Sequence, residues 1–325
     1  MRTGRSARPR PRRTSAAAPW ARLPTESRNR RSARLDTLPV AKVVALVLDE
    51  DRRALVAAAR QRAAIARAAA EVARALGRGS RLVFLGAGTS GRLGVLEAAE
   101  CPPTFGTDPD RIRAVMAGGE GAVFSAVEGA EDRAEDGREE AERLRTGDVL
   151  VGISASSVTP FVRGALETAR RRGIRTVLVT CAPRPGLRAL ADVVVAVRTG
   201  PEVLTGSTRL KAGSATKAVL NAVTTAAMVR LGKAYGNLMV DLRQGSAKLR
   251  DRARRIVVAA GGVAPERADA LLAEAKGEVK TAIVMARRGV PAAEARRLIT
   301  AASGHVRAAL ARRTPRARRA RRRSR

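Results

Sequence analysis

Leu82-Val83-Phe84-Leu85-Gly86-Ala87-Gly88-Thr89-Ser90-Gly91-Arg92-Leu93-Gly94 is the stretch on which the fold turns. Four apolar residues in a row suit a short strand buried on both faces, and a glycine closes it. A helical run follows from Ser90 to Glu100 and is expected to end against Cys101-Pro102-Pro103, because a proline pushes the residue before it out of the helical region. The same order returns downstream. Ile112–Met116 is closed by Gly118-Gly119, and Val149–Ile153 runs into Ser154-Ala155-Ser156-Ser157-Val158-Thr159. Thr176–Val179 and Val193–Val197 make a fourth and a fifth apolar run. Strands alternating with helical stretches predict an α/β fold of three layers, with a five-stranded parallel sheet between helices. Ligands of such sheets gather beyond the carboxyl ends of the strands, at the switch point.

Upstream, Val44, Val47, Leu48, Leu55, Ile65, Val72 and Leu76 recur at helical spacing before Gly77 and Gly79. Downstream, a long helix is expected over Lys211–Leu231. Beyond about Lys248 the strands stop. Pro265 and Pro291 fall where first helical turns begin, and Gly277 and Gly289 where helices end. This predicts a small subdomain of three or four short helices. The expected division is 25–247 for the α/β domain with its N-terminal helices and 248–312 for the helical subdomain. Residues 1–24 and 313–325 are expected to be disordered arginine-rich tails.

The tails carry much of the charge. Of 63 basic and 30 acidic residues (net +33), eleven arginines and one acid lie in residues 1–34, and ten arginines and no acid in 307–325. Like-charge blocks are commonly solvated. Six aromatics give no platform for stacking bases, so a nucleic-acid partner is not expected. No stretch approaches the ~20 apolar residues of a membrane span. Arg12-Arg13 resembles an export signal, but Thr14–Leu23, broken by Pro19 and Arg22, supplies no apolar core. Cys101 and Cys181 form neither a CxxC pair nor a disulfide framework, and His305 is the single histidine. The reading is therefore a cytoplasmic protein with no metal and no cofactor, whose proton transfers fall to carboxylates, lysines or Tyr235.

Gly86-Ala87-Gly88-Thr89-Ser90-Gly91 is formally a dinucleotide motif, yet the acid expected about 20 positions on is missing. Its physics is more general. Glycines let backbone approach a ligand, and a helix start offers free N–H groups to an anion. Thr89 and Ser90 add hydroxyls beside Gly91. Ser154, Ser156, Ser157 and Thr159 repeat the arrangement after the third strand. Two such turns at strand carboxyl ends point to a phosphate.

Paired Ser/Thr turns on this sheet resemble the sugar isomerase (SIS) domain, which binds phosphosugars. Longer runs resemble the N-acetylmuramic acid 6-phosphate etherases: Thr25–Asn29, Leu85–Gly94, Ala99–Gly106, Glu128–Asp132, Gly200–Gly213 and Gly236–Asp241, within residues 25–312. The resemblance implies a homodimer that acts on a phosphorylated amino sugar, eliminating lactate and then adding water with two carboxyl groups. It implies Glu100 as the acid that protonates the departing lactate and Glu131 as the second catalytic carboxyl. Burial beside Pro102, Pro103 and Phe105 is expected to keep Glu100 protonated. Gly206–Lys211 is another polar cluster opening a helix, from which sugar or phosphate contacts are expected at Ser207 and Thr208 and a lactyl carboxylate contact at Arg209 or Lys211. Glu97, Glu120 and Glu128 are lesser acidic candidates. Three departures stand out: Ser157-Val158 where the family has Gly-Arg, Ala182 where it has Asn, and Gly245-Ser246 where it has Thr-Asn. The rival reading is a phosphosugar-binding regulator without catalysis.

Overall fold

The computed structural model describes residues 23–312, so the tail expectations for 1–22 and 313–325 lie outside the described residues. Short 3-10 turns between Pro24 and Thr37 lead into α1 (Val40–Ala59) and α2 (Arg62–Gly77). Then come β1 (Leu82–Gly86), α3 (Gly88–Phe105), β2 (Ile112–Met116), α4 (Ala134–Glu142), β3 (Val149–Ile153), α5 (Pro160–Arg171), β4 (Arg175–Thr180), β5 (Val193–Ala196) and α6 (Lys211–Arg230). All five strands are parallel, in the order β2-β1-β3-β4-β5. Alternation along the strands sorts the core. Leu82 and Phe84 of β1 pack with α1, α2 and α6, while Val83 and Leu85 pack with α5 on the other face.

The chain leaves β1 toward β2 and then crosses back to β3, so the sheet order reverses between β1 and β3. That crevice is where a doubly wound sheet accepts a ligand. The two turns that face it are residues 86–90 and 154–159.

Helix α3 does not stop at the prolines; it runs through Pro102 and Pro103 to Phe105. Two prolines remove two helical donors and crowd the preceding turn, a cost of about 3 kcal/mol for an interior proline. Packing overrides this cost: Cys101 is buried in the core on the α1–α2–α6 face and Phe105 packs against it. The stop comes at Gly106, left-handed at φ 61°, whose N–H donates to the Pro102 carbonyl at 2.9 Å. A Cβ there would stand 2.4 Å from the Asp241 carbonyl, so only glycine fits.

Beyond α6 a two-stranded hairpin, β6 (Ala234–Tyr235) and β7 (Leu238–Met239), adds an element that the sequence reading did not anticipate. Its Gly236-Asn237 turn is a hairpin signal the sequence reading passed over. Five helices follow, not three or four: α7 (Ala247–Gly261), α8 (Pro265–Glu274), α9 (Val279–Arg288), α10 (Ala292–Ala301) and α11 (Val306–Ala311). Their apolar cluster reaches back to Val240 and Leu242 and takes in the hairpin, so its core begins before residue 248.

Candidate active site

The turn after β1 is built on close approach. A Cβ on Gly91 would lie 2.6 Å from the Gly86 carbonyl, so the start of α3 sits directly on the strand end. Thr89 and Ser90 are half-buried and make no side-chain hydrogen bond within the described chain. Thr89 reaches across to α6: its Cγ2 and the Thr208 carbonyl lie 3.6 and 3.5 Å from where a Cβ on Gly213 would be. The β1–α3 turn and the β5–α6 loop therefore meet at the first turn of α6.

The turn after β3 gathers its hydroxyls around Ser154. Ser154 Oγ lies 2.8 Å from Thr159 Oγ1 and 3.5 Å from Ser156 Oγ, and accepts the Ser157 N–H at 3.1 Å. Ser154 is buried, whereas Ser156 and Thr159 are half-buried. Pro160 then opens α5 as its first residue, with φ already helical. Ser157 behaves differently from the expectation. It stands at φ 61°, the left-handed conformation, fully buried, and its hydroxyl accepts the Leu187 N–H at 3.2 Å. Its side chain holds the turn to the β4–β5 connection and presents no hydroxyl to a ligand.

Lys211 is the second departure. Its ammonium is buried and paired with Glu50 of α1, which also accepts Asn29 Nδ2 at 3.0 Å and the Arg31 guanidinium. Burial alone would push Glu50 up, but the hydrogen bonds from Lys211 and Arg31 outweigh it and hold the carboxyl below its ordinary range. The amides of Lys211 and Ala212 donate to Glu202 at 3.3 and 2.9 Å, so the chain's own carboxylate occupies the N-terminus of α6. Burial pushes Glu202 up, against those amides. Ser207 and Thr208 are half-buried without side-chain partners, and Arg209 is exposed.

Glu100 and Glu131 both stand on the exposed surface of the single chain, the first on α3 and the second in the 3-10 turn Ala130–Asp132. Pro102, Pro103 and Phe105 do not cover Glu100, because the helix carries them onward instead of folding back. Glu97, one turn earlier, is the buried one: Asn221 Nδ2 and Thr224 Oγ1 of α6 both donate to it, at 2.5 Å each. It ties α3 to α6. Glu120 and Glu128 are exposed. Cys101 is no nucleophile: burial, then Glu97 and Glu100, push its thiol up to about 12. Burial pushes Cys181 up to about 11.

Glu50, Glu202 and Arg92 were missed from the sequence. Arg92, inside the first glycine-rich turn motif, caps the Ala122 and Val123 carbonyls at 2.8 Å and so fixes the loop after β2. Nothing in spacing marks Glu50. Glu202, nine residues before its helix, is too far ahead of α6 to read as a cap.

No group of three or more His, Cys, Asp and Glu side chains suited to a metal occurs among the described residues, and none of their helices is long and apolar enough to cross a membrane. Residues 64–170 match the family model of the glucokinase regulatory protein N-terminal SIS domain. The N-acetylmuramic acid 6-phosphate etherase of Mycolicibacterium smegmatis is 50% identical over 272 residues, covering 83% of this chain and 91% of its own. That of Cutibacterium acnes is 51% identical over 270 residues, 82% and 89% of the two chains. A phosphoheptose isomerase of Francisella tularensis, 15% identical, superposes with a TM-score of 0.46 over 59% of this chain and 100% of its own.

Proposed function

The chain belongs to the N-acetylmuramic acid 6-phosphate etherase family, and from that membership we propose how its residues act. The reaction cleaves the D-lactyl ether of N-acetylmuramic acid 6-phosphate to N-acetylglucosamine 6-phosphate and D-lactate. In the ring-opened sugar the C1 aldehyde makes the C2 proton acidic. A base takes that proton, the electron pair forms the C2–C3 double bond, and the C3–O bond breaks. The lactate oxygen leaves with a proton from an acid, because an alkoxide leaves poorly. Water then returns hydroxyl to C3 and a proton to C2, with no net oxidation. We assign the acid to Glu100 and the second carboxyl to Glu131.

The observation that carries this reading is the hydroxyl cluster of Ser154, Ser156 and Thr159 at the switch point, suited to a 6-phosphate. Thr89, Ser90, the backbone at Gly91, Ser207 and Thr208 close the same end. Glu100 lies twelve residues after Gly88, about 18 Å along α3, farther than one sugar ring and its phosphate reach. A homodimer resolves this, with Glu100 serving the partner's phosphate turn. Leu96, one turn before Glu100, is 45% exposed and Phe124 is 91% exposed. Phe124 borders a cleft between α3 and residues 112–127 that a second copy would cover. Covering would also take Glu100 out of water, which favours its protonated form. A phosphorylated sugar substrate and unpaired buried cysteines support a cytoplasmic protein.

Release of D-lactate from N-acetylmuramic acid 6-phosphate tests the reading. Glu100→Gln is expected to slow release by 10²- to 10⁴-fold, the usual range for removing a general acid. Mixing Glu100→Gln with Ser154→Ala chains should restore about a quarter of the activity, from the one intact site in each mixed dimer. No recovery would put both groups in one chain, and binding without release would favour the regulator.

A further inference from the structure

A cavity of about 850 Å³ lies between the end of α3 and the helical subdomain, bordered by Gly106, the 240–244 segment and the start of α9. Its charges do not balance. Lys233 and Lys280 both direct their ammonium groups to one oxygen, Asp241 Oδ2, at 3.0 and 2.6 Å. Lys280 is 8% exposed and carries three N–H donors, of which the described chain uses one. Arg243 gives its guanidinium to a neutral acceptor, the Thr107 carbonyl, at 2.8 Å. Lys276, left-handed at φ 55°, stands on the rim without a carboxylate partner among the described residues. Arg296 and Glu278 cancel each other at 2.8 Å. Lys233, Lys276, Lys280 and Arg243 thus have a single carboxylate, Asp241, among them, and a buried charge is stable only when paired and hydrogen-bonded.

We propose that this cavity is a second oxyanion site, separate from the hydroxyl-rich turn, taking one phosphate or carboxylate group between Lys233, Lys276 and Lys280. Burial, the dominant effect, pushes the Lys280 ammonium down, and Lys233 adds to it while Asp241 opposes; an anion would relieve both. Occupancy would bridge the 233–244 segment to α9 and so clamp the helical subdomain against α3. Gly106 is wedged on the Asp241 carbonyl, and Glu100 is six residues upstream, about 9 Å along the helix. The clamp therefore acts on the element that carries the proposed acid.

The test is calorimetric titration of the full chain with inorganic phosphate at constant ionic strength, in a Ser154→Ala background that removes the centre of the hydroxyl cluster and weakens that site, so that the lysine variants report on the second site. That chain should still bind phosphate and gain thermal stability from it. Lys233→Ala and Lys276→Ala, both outside the buried core, should each weaken binding about tenfold, as loss of a charge-assisted contact does. Lys280→Gln should abolish binding, and the two outer variants keep the test open should that protein fail to fold. Repeating the titration with D-lactate separates a phosphate from a carboxylate as the natural ligand. Absence of binding by both anions in the Ser154→Ala chain overturns the proposal, as does binding unmoved by the lysine variants. Lactate release by the unmodified chain reports independently on the etherase reading.

Discussion

The β3–α5 turn and the β5–α6 loop look alike as sequence. Each follows a strand, each is rich in Ser and Thr, and each opens a helix, Ser154–Thr159 before α5 and Gly206–Lys211 before α6. In the fold they are opposites. The first keeps two half-buried hydroxyls, Ser156 and Thr159, around Ser154, bonded only within their own turn. The second is already satisfied at its helix start, where Glu202 fills the first turn of α6 and Lys211 is sunk into Glu50, and only Ser207 and Thr208 keep hydroxyls without partners. A polar helix start binds a ligand only where the chain has left it unfilled, and that depends on residues distant in sequence.

If the β5–α6 loop is structural at Lys211, Lys211→Met should destabilise by about 3 kcal/mol, since it takes from the buried Glu50 carboxylate its one buried cation and leaves it the half-exposed Arg31. The melting temperature should fall on the order of 10 °C. A large rise in KM at unchanged melting temperature would make Lys211 a substrate contact after all. Ser154→Ala should do the reverse, raising KM roughly tenfold or more through lost contacts to a charged group while the melting temperature moves by only a few degrees. The contrast also has a pH signature. Glu50 is held below its unfolded value, so its contribution is present above about pH 4.3 and is lost as pH falls through the lower folded value. Urea unfolding at about pH 6 and pH 3 should show this loss, and Glu50→Gln should flatten it. The smallest effect is at Ser157, a non-glycine in left-handed backbone. Ser157→Gly should relieve strain of about 1 kcal/mol, offset by the lost bond to Leu187, for a net change under about 1 kcal/mol. A loss of several kcal/mol would mean that the hydroxyl is indispensable.

Much of the architecture was legible because its signals are local. Leu82–Gly86 and Val149–Ile153 are apolar runs closed by turn residues, and the helices between them force a parallel sheet. One reading failed where packing outvoted a local rule, and one element was not anticipated. α3 continues through Pro102-Pro103 because Cys101 and Phe105 are anchored in the core. The hairpin at Gly236-Asn237 is too short for a periodic signal. The two carboxylates were reached by resemblance to a family, and no periodicity pointed to them. Glu97, the same residue type one turn from Glu100, is instead a buried tie to α6.

Strand and helix order and the serine-rich turns are properties of the amino-acid sequence, since each rests on interactions between near neighbours, and the helices between the strands then require parallel pairing. Which polar groups remain free is not. That Glu202 caps α6, that Glu50 takes Lys211, that Ser157 turns inward and that Glu100 faces outward are outcomes of contacts made across the chain. A side chain's chemistry is set by its partners, and only the folded molecule brings them together.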